Sequence, residues 1–139
     1  MRDNAYLRRK LEQLWQAHFP DVQKTNTVEI EFGKKAVKRL GSIRRCHYPG
    51  QEGFDTLIYL NGHFRDEAIP EYVIDATICH ELAHYAHGFS SPLPKLSRFP
   101  HRGGVVDREL ETRGLGKLLR LETEWLKTNW MNYLEKKTA

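Results

Sequence analysis

An α+β domain is what this sequence predicts, and three observations carry the prediction. Residues 27–32 alternate apolar and polar side chains, as a half-buried strand does, and residues 55–60 are apolar on both faces. Apolar residues recur every three to four positions towards both ends of the chain, as amphipathic helices require. Between strands and C-terminal helices, Ile74, Ile78 and Leu82 mark a further helix, which also holds His80, His84 and His87. With 139 residues, 40% of them hydrophobic and 29% charged, the chain can bury one real core and is too apolar for a disordered segment.

Leu7, Leu11, Leu14, Trp15 and His18 predict a helix over residues 3–19, ended by Pro20, with Arg8, Arg9 and Lys10 mostly on its wet side. The strand over 27–32 turns Val28, Ile30 and Phe32 inward. Gly33-Lys34-Lys35 reads as a turn into a second strand over 36–45, with a bulge at Gly41, so the two strands are expected to form a hairpin. A loop over 47–53 leads to the third strand, which Asn61-Gly62 ends with turn chemistry. The next helix is expected over 70–87. Pro70 suits its first position, Glu71 favours its dipole, Ile74, Ile78 and Leu82 put one face in the core, and Gly88 stops it.

Residues 89–104 carry neither period and read as an ordered loop or lid. From Val105 the helical pattern returns as one or two helices, bent near Gly114 and Gly116, whose stripe of Trp125, Trp130 and Tyr133 reads as core. The expected organisation is a single domain over 1–139. It has a core over about 27–115 and a C-terminal helical extension over about 105–137.

Composition narrows the function classes. No apolar run approaches the ~20 residues that cross a bilayer, and the N-terminal residues lack the apolar centre of a secretion signal. A cytoplasmic protein without a membrane partner is the expectation. Cys46 and Cys79, the only cysteines, cannot build a four-cysteine zinc site, and Cys79 reads as a small buried thiol. A net charge of +4 admits an acidic partner.

The chemistry lies in His80-Glu81-Leu82-Ala83-His84, a His-Glu-x-x-His pattern. Helical positions four apart lie about 40° apart around the axis and about 6 Å along it, so both imidazoles can reach one ion. Glu81 projects beside them, where it can hold a metal-bound water and take its proton. Catalytic zinc normally takes three protein ligands and keeps a position open. The metzincin pattern fails, because its glycine and last histidine fall on His87 and Ser90. His101 in the downstream loop, Glu109 or Glu111 on the following helix, and His87 on the same helix are the candidates for the third ligand.

Ile58-Tyr59-Leu60-Asn61, the run Thr77 to His84, and Pro100-His101-Arg102-Gly103 together resemble the SprT-like zinc metallopeptidase domain over roughly residues 37–111. That family shows a strand ending near Leu-Asn, a His-Glu-Leu-x-His helix and a third histidine in a His-Gly loop. This chain lacks the aromatic residue usual shortly after that loop, and it lacks the C-terminal zinc ribbon of many members. The resemblance implies zinc on His80, His84 and His101, with Glu81 as general base, in a peptidase acting on peptide or protein substrates.

The expected mechanism is hydrolysis by a Glu81-activated water, helped by a donor such as Tyr85, His87 or Arg102, with the third strand pairing an extended peptide. The competing reading is a non-catalytic nucleic-acid-binding module with structural zinc. Its feature is the acid-free run of Lys34, Lys35, Lys38, Arg39, Arg44 and Arg45, which reads as a DNA contact or as a solvated strand edge. The two readings merge if the peptidase digests proteins on DNA, as some SprT-like members do.

Overall fold

In the computed structural model, residues 1–96 and 104–138 are described. Helix α1 spans Asn4–His18, and Asp3 caps it by accepting a hydrogen bond from the Tyr6 N–H at 2.8 Å. Its buried stripe is Leu7, Leu11 and Leu14, the expected one. Arg8 and Arg9 are exposed as expected, but Lys10 is not on the wet side. Its side chain lies between Glu71 and Asp75, 3.1 Å from the latter, and ties α1 to the next long helix.

Strands β1 (Val28–Phe32), β2 (Gly41–Cys46) and β3 (Asp55–Leu60) form one mixed sheet in the order β1-β3-β2. The hairpin expected from β1 and β2 does not form. β3 lies between them, parallel to β1 and antiparallel to β2, with Ile58 facing both Ile30 and Ile43. Thr56, Ile58 and Leu60 are all buried, which suits the central position. Both edges of β3 are therefore used, and it cannot accept an extended peptide as the sequence suggests. The outer edges of β1 and β2 carry no further strand among the described residues.

Residues 33–40 form an irregular span rather than a turn and the start of a strand, because Asn61 holds them. The Asn61 side-chain amide donates to the carbonyls of Ala36 and Arg39, both at 2.8 Å, and its Oδ1 accepts from the Ala36 and His63 N–H groups at 3.3 and 3.0 Å. The backbone N–H of Asn61 donates to Leu40 O, and that of Gly62 to Lys34 O. Gly41 is no bulge; it opens β2 in register with Leu60. A Cβ there would lie 2.8 Å from Thr77 Cγ2 and 3.2 Å from Tyr59 O, so glycine lets β2 close onto the helix behind it.

That helix, α2 (Glu71–Ala86), follows a short 3-10 turn at Gly62–Arg65. Pro70 is the extended residue before the helix rather than its first turn. The sequence predicts only one face in the core, yet eleven residues of α2 are buried, on all sides. The reason is its position: α1, the sheet and the helices α3 (Val105–Thr112) and α4 (Gly116–Trp125) all pack on it. Its end is a Schellman motif, with Phe89 N–H donating to His84 O and Gly88 N–H to Tyr85 O, and Gly88 takes the left-handed φ of 80° that the motif needs.

The expected bend between the C-terminal helices falls at Gly114 and Leu115. After α4 the helix runs on through a π turn at Leu126–Trp130 into α5 (Met131–Thr138). Trp130 is buried there and its Nε1–H donates to Val37 O at 2.7 Å, while its ring stacks on Tyr133 and meets Phe64 edge-on. The aromatic stripe thus packs inward and helps hold the 33–40 span. No helix among the described residues is long and apolar enough to cross a membrane.

Candidate metal centre

Four residues of α2 carry the helix through just over one turn, which brings His80 and His84 together. Their Nε2 atoms lie 3.2 Å apart, with ring centroids 4.8 Å apart and planes at 78°. Donor atoms of His80, Glu81 and His84 all fall within 4.8 Å of one another. His84 is 2% exposed, Glu81 4%, and His80 is half-buried towards the cleft.

These residues fit a metal on two counts. Two nitrogens bound tetrahedrally at about 2.0–2.1 Å would be roughly 3.3 Å apart, close to the spacing their side chains already hold. Such a contact between ring nitrogens needs either an N–H donated from one ring to the other or a cation shared between two lone pairs. Glu81 supplies the second count. Its Oε2 is buried and accepts no hydrogen bond among the described residues. Burial pushes its carboxyl up to about 8, with the Arg39 charge pulling the other way. A buried carboxyl without a donor is costly unless something in the site engages it.

The other expected ligands stand elsewhere. His101, like Arg102, lies outside the described residues. His87 turns to Glu109, Nε2 to Oε1 at 2.6 Å, and Glu109 also contacts Arg113 Nε at 3.2 Å. Glu111 lies on the surface with Arg120 at 3.3 Å. Among the described residues no further His, Cys, Asp or Glu joins the group of His80, Glu81 and His84. Tyr85, expected as a donor to the reacting carbonyl, faces the opposite side. It is fully buried, meets Trp15 edge-on and donates its hydroxyl to Asn26 Oδ1 at 2.7 Å. Cys79 is buried, and desolvation pushes its thiol up to about 12, so it packs and does not react.

The group opens into a cleft of about 1220 Å³ between the 33–40 span, β2, α2 and α4. Of the six basic residues singled out from the sequence, Lys34, Lys35, Lys38, Arg39 and Arg44 line it. Arg45 does not; its guanidinium lies over Phe54, 4.7 Å from the ring centroid. Arg44 covers Tyr59 at 4.8 Å and donates to its hydroxyl at 3.1 Å.

Among the cleft residues that sequence reasoning misses is Glu122 on α4. It is 7% exposed and lies beside Thr77, one turn before the metal pair on α2. A signal exists: Leu115, Leu118, Leu119, Trp125 and Leu126 define an apolar stripe, and position 122 falls on it. An acid on an apolar stripe is a buried acid. Burial pushes the carboxyl up to about 7, opposed by the Thr77 hydrogen bond and assisted by the charge of Asp107.

No family model, no curated protein and no solved structure matches this chain.

Proposed function

We propose that the protein is a zinc-dependent peptidase, of the SprT-like kind that its motifs resemble, with Glu81 as general base. The observation that carries this reading is the convergence of the His80 and His84 Nε2 atoms, 3.2 Å apart, beside a buried Glu81 carboxyl. His80 and His84 would hold the ion through Nε2, and His101 is proposed as the third ligand, since Glu109 and Glu111 are engaged by other side chains. When bound, zinc lowers the pKa of a water to roughly 7 and polarises the scissile carbonyl.

The chain's own residues supply the rest. Glu81 takes the proton from the attacking water and passes it to the leaving amide nitrogen. Burial pushes the Glu81 carboxyl up to about 8, and Arg39 pulls towards the ionised form that the first proton transfer needs, as a cation held by His80 and His84 would. The substrate lies along the cleft wall formed by β2, an edge strand of the sheet among the described residues, where Ser90 Oγ lies 3.4 Å from Ile43 O. The competing nucleic-acid module with a structural metal would need a closed ligand set, and the described residues offer no fourth ligand.

The test is metal content and hydrolysis of an unfolded protein by wild type and Glu81→Gln. Wild type should carry stoichiometric zinc and cleave; Glu81→Gln should keep the zinc and lose about 10²–10⁴-fold in rate. A protein that binds no transition metal, or a Glu81→Gln variant as active as wild type, refutes the reading.

A further inference from the structure

We infer that the cleft selects an acidic peptide segment, whose carboxylates lie on the lip formed by Lys34, Lys35, Lys38 and Arg39. The inference rests on the peptidase reading for the nature of the ligand and extends it to the ligand's charge. Four observations support it.

First, the cations belong to the same cleft as His80, Glu81 and His84, so a bound segment meets both. Second, they are available. Lys34, Lys35, Lys38 and Arg39 are exposed, and none of them enters an ion pair among the described residues. Third, they are held in place. Asn61 bonds the backbone on both sides of Lys38, at Ala36 and Arg39, and Trp130 bonds Val37 between them. Charges on a pinned backbone lose less entropy on binding than charges on a mobile loop. Fourth, the adjoining wall is the β2 edge, which offers main-chain groups to an extended chain whose same-side residues repeat about every 6.8 Å.

The same cleft argues against a nucleic acid. Beyond the lip its lining includes the exposed Asp107 carboxylate and the buried carboxyls of Glu81 and Glu122. A nucleic-acid strand brings a negative charge at every nucleotide and would set some of them against Asp107 and the desolvated walls beside it. A peptide can place carboxylates on the lip and apolar or neutral residues inside. On β2 the basic track stops at Arg44, which is held over Tyr59, since Arg45 turns to Phe54.

The experiment is fluorescence anisotropy with the full chain carrying Glu81→Gln and loaded with zinc, which prevents turnover. The probes are a short peptide in which Glu alternates with apolar residues, the same peptide with Lys for Glu, and a single-stranded DNA of equal length. The Glu peptide should bind at least about tenfold tighter than either other probe, with affinity falling as salt rises. Lys35→Gln combined with Lys38→Gln should remove most of that preference, while Arg8→Gln with Arg9→Gln on the far side of α1 should leave it intact. Equal affinity for the Glu and Lys peptides, tighter binding of the DNA, or a preference that survives the lip variant overturns the inference. The outcome for the peptidase reading is separate. A Glu peptide held on the lip but never cut by wild type sinks the peptidase and keeps the lip. Cleavage blind to substrate charge, with no preference in binding, does the reverse.

Discussion

The Thr77 hydroxyl lies 2.8 Å from a carboxyl oxygen of Glu122, and the same hydroxyl lies 2.8 Å from the backbone carbonyl of Val73. A hydroxyl has one hydrogen to give. The Thr77 hydrogen is therefore shared between the Val73 carbonyl and the Glu122 carboxyl. Burial pushes that carboxyl up to about 7, and the bond from Thr77 opposes the shift.

A pH dependence follows from Glu122. Its folded pKa of about 7 is raised from an ordinary 4.5, so the fold binds the proton more tightly than the unfolded chain does. The stabilisation is complete below pH 4.5 and is lost as pH rises to about 7, by on the order of 2–3 kcal/mol. Glu122→Gln keeps the shape and an acceptor for the Thr77 hydroxyl. Urea denaturation at pH 5 and pH 8 should show wild type losing stability relative to the variant. A difference between the two proteins that does not change with pH would mean that Glu122 is ionised in the fold.

Gly41→Ala tests the approach of β2 to α2. The added Cβ would meet Thr77 Cγ2 at 2.8 Å, and Thr77 is not free to turn because both its hydrogen bonds fix its rotamer. The expected cost is about 1–3 kcal/mol, read as a lower urea midpoint. An unchanged midpoint would place β2 further from the helix than 41 and 77 imply.

Asn61→Ala tests the pinning of the basic span. Four side-chain hydrogen bonds are lost from a residue 3% exposed, at a cost of about 2–4 kcal/mol. Amide exchange should quicken at 36–40 more than in α1, and binding of the acidic peptide should weaken without any change in the cations. Uniform quickening over the whole chain would show only global destabilisation.

Metal removal should register in stability. An ion that binds only the folded chain at a hundred times its Kd adds about 2.7 kcal/mol. Chelation should therefore lower Tm, and re-added zinc should restore it. His84→Ala and His80→Ala should each abolish the response, whereas His87→Gln, whose ring turns to Glu109, should retain it. A zinc response that survives loss of His84 would place the ion elsewhere.

Relationships within a few residues are legible in the sequence alone. The residue pattern places the α2 helix at 70–87, and it spans Glu71–Ala86; the pattern places β3 at 55–60, and it spans Asp55–Leu60. The convergence of His80 and His84 belongs to the same class, since helical rise and twist set it once the helix exists. Each rests on backbone period and covalent spacing, which are local.

Partners distant in the chain are not legible in this way. Whether β1 meets β2 or β3 depends on the free energy of whole alternative pairings, and the turn-like Gly33-Lys34-Lys35 points to the wrong one. Asn61, downstream of the 33–40 span, holds that span away from a hairpin. Packing on every side of α2 likewise comes from elements that α2's own residues do not specify. Glu122 shows the reason most directly: an exposed glutamate ionises at its ordinary value, and this one is pushed up to about 7 because folding removes its water, against the bond that Thr77 donates to it. Side-chain order along the chain sets which groups exist and at what period, and only the folded packing sets which of them lose solvent and to whom they turn.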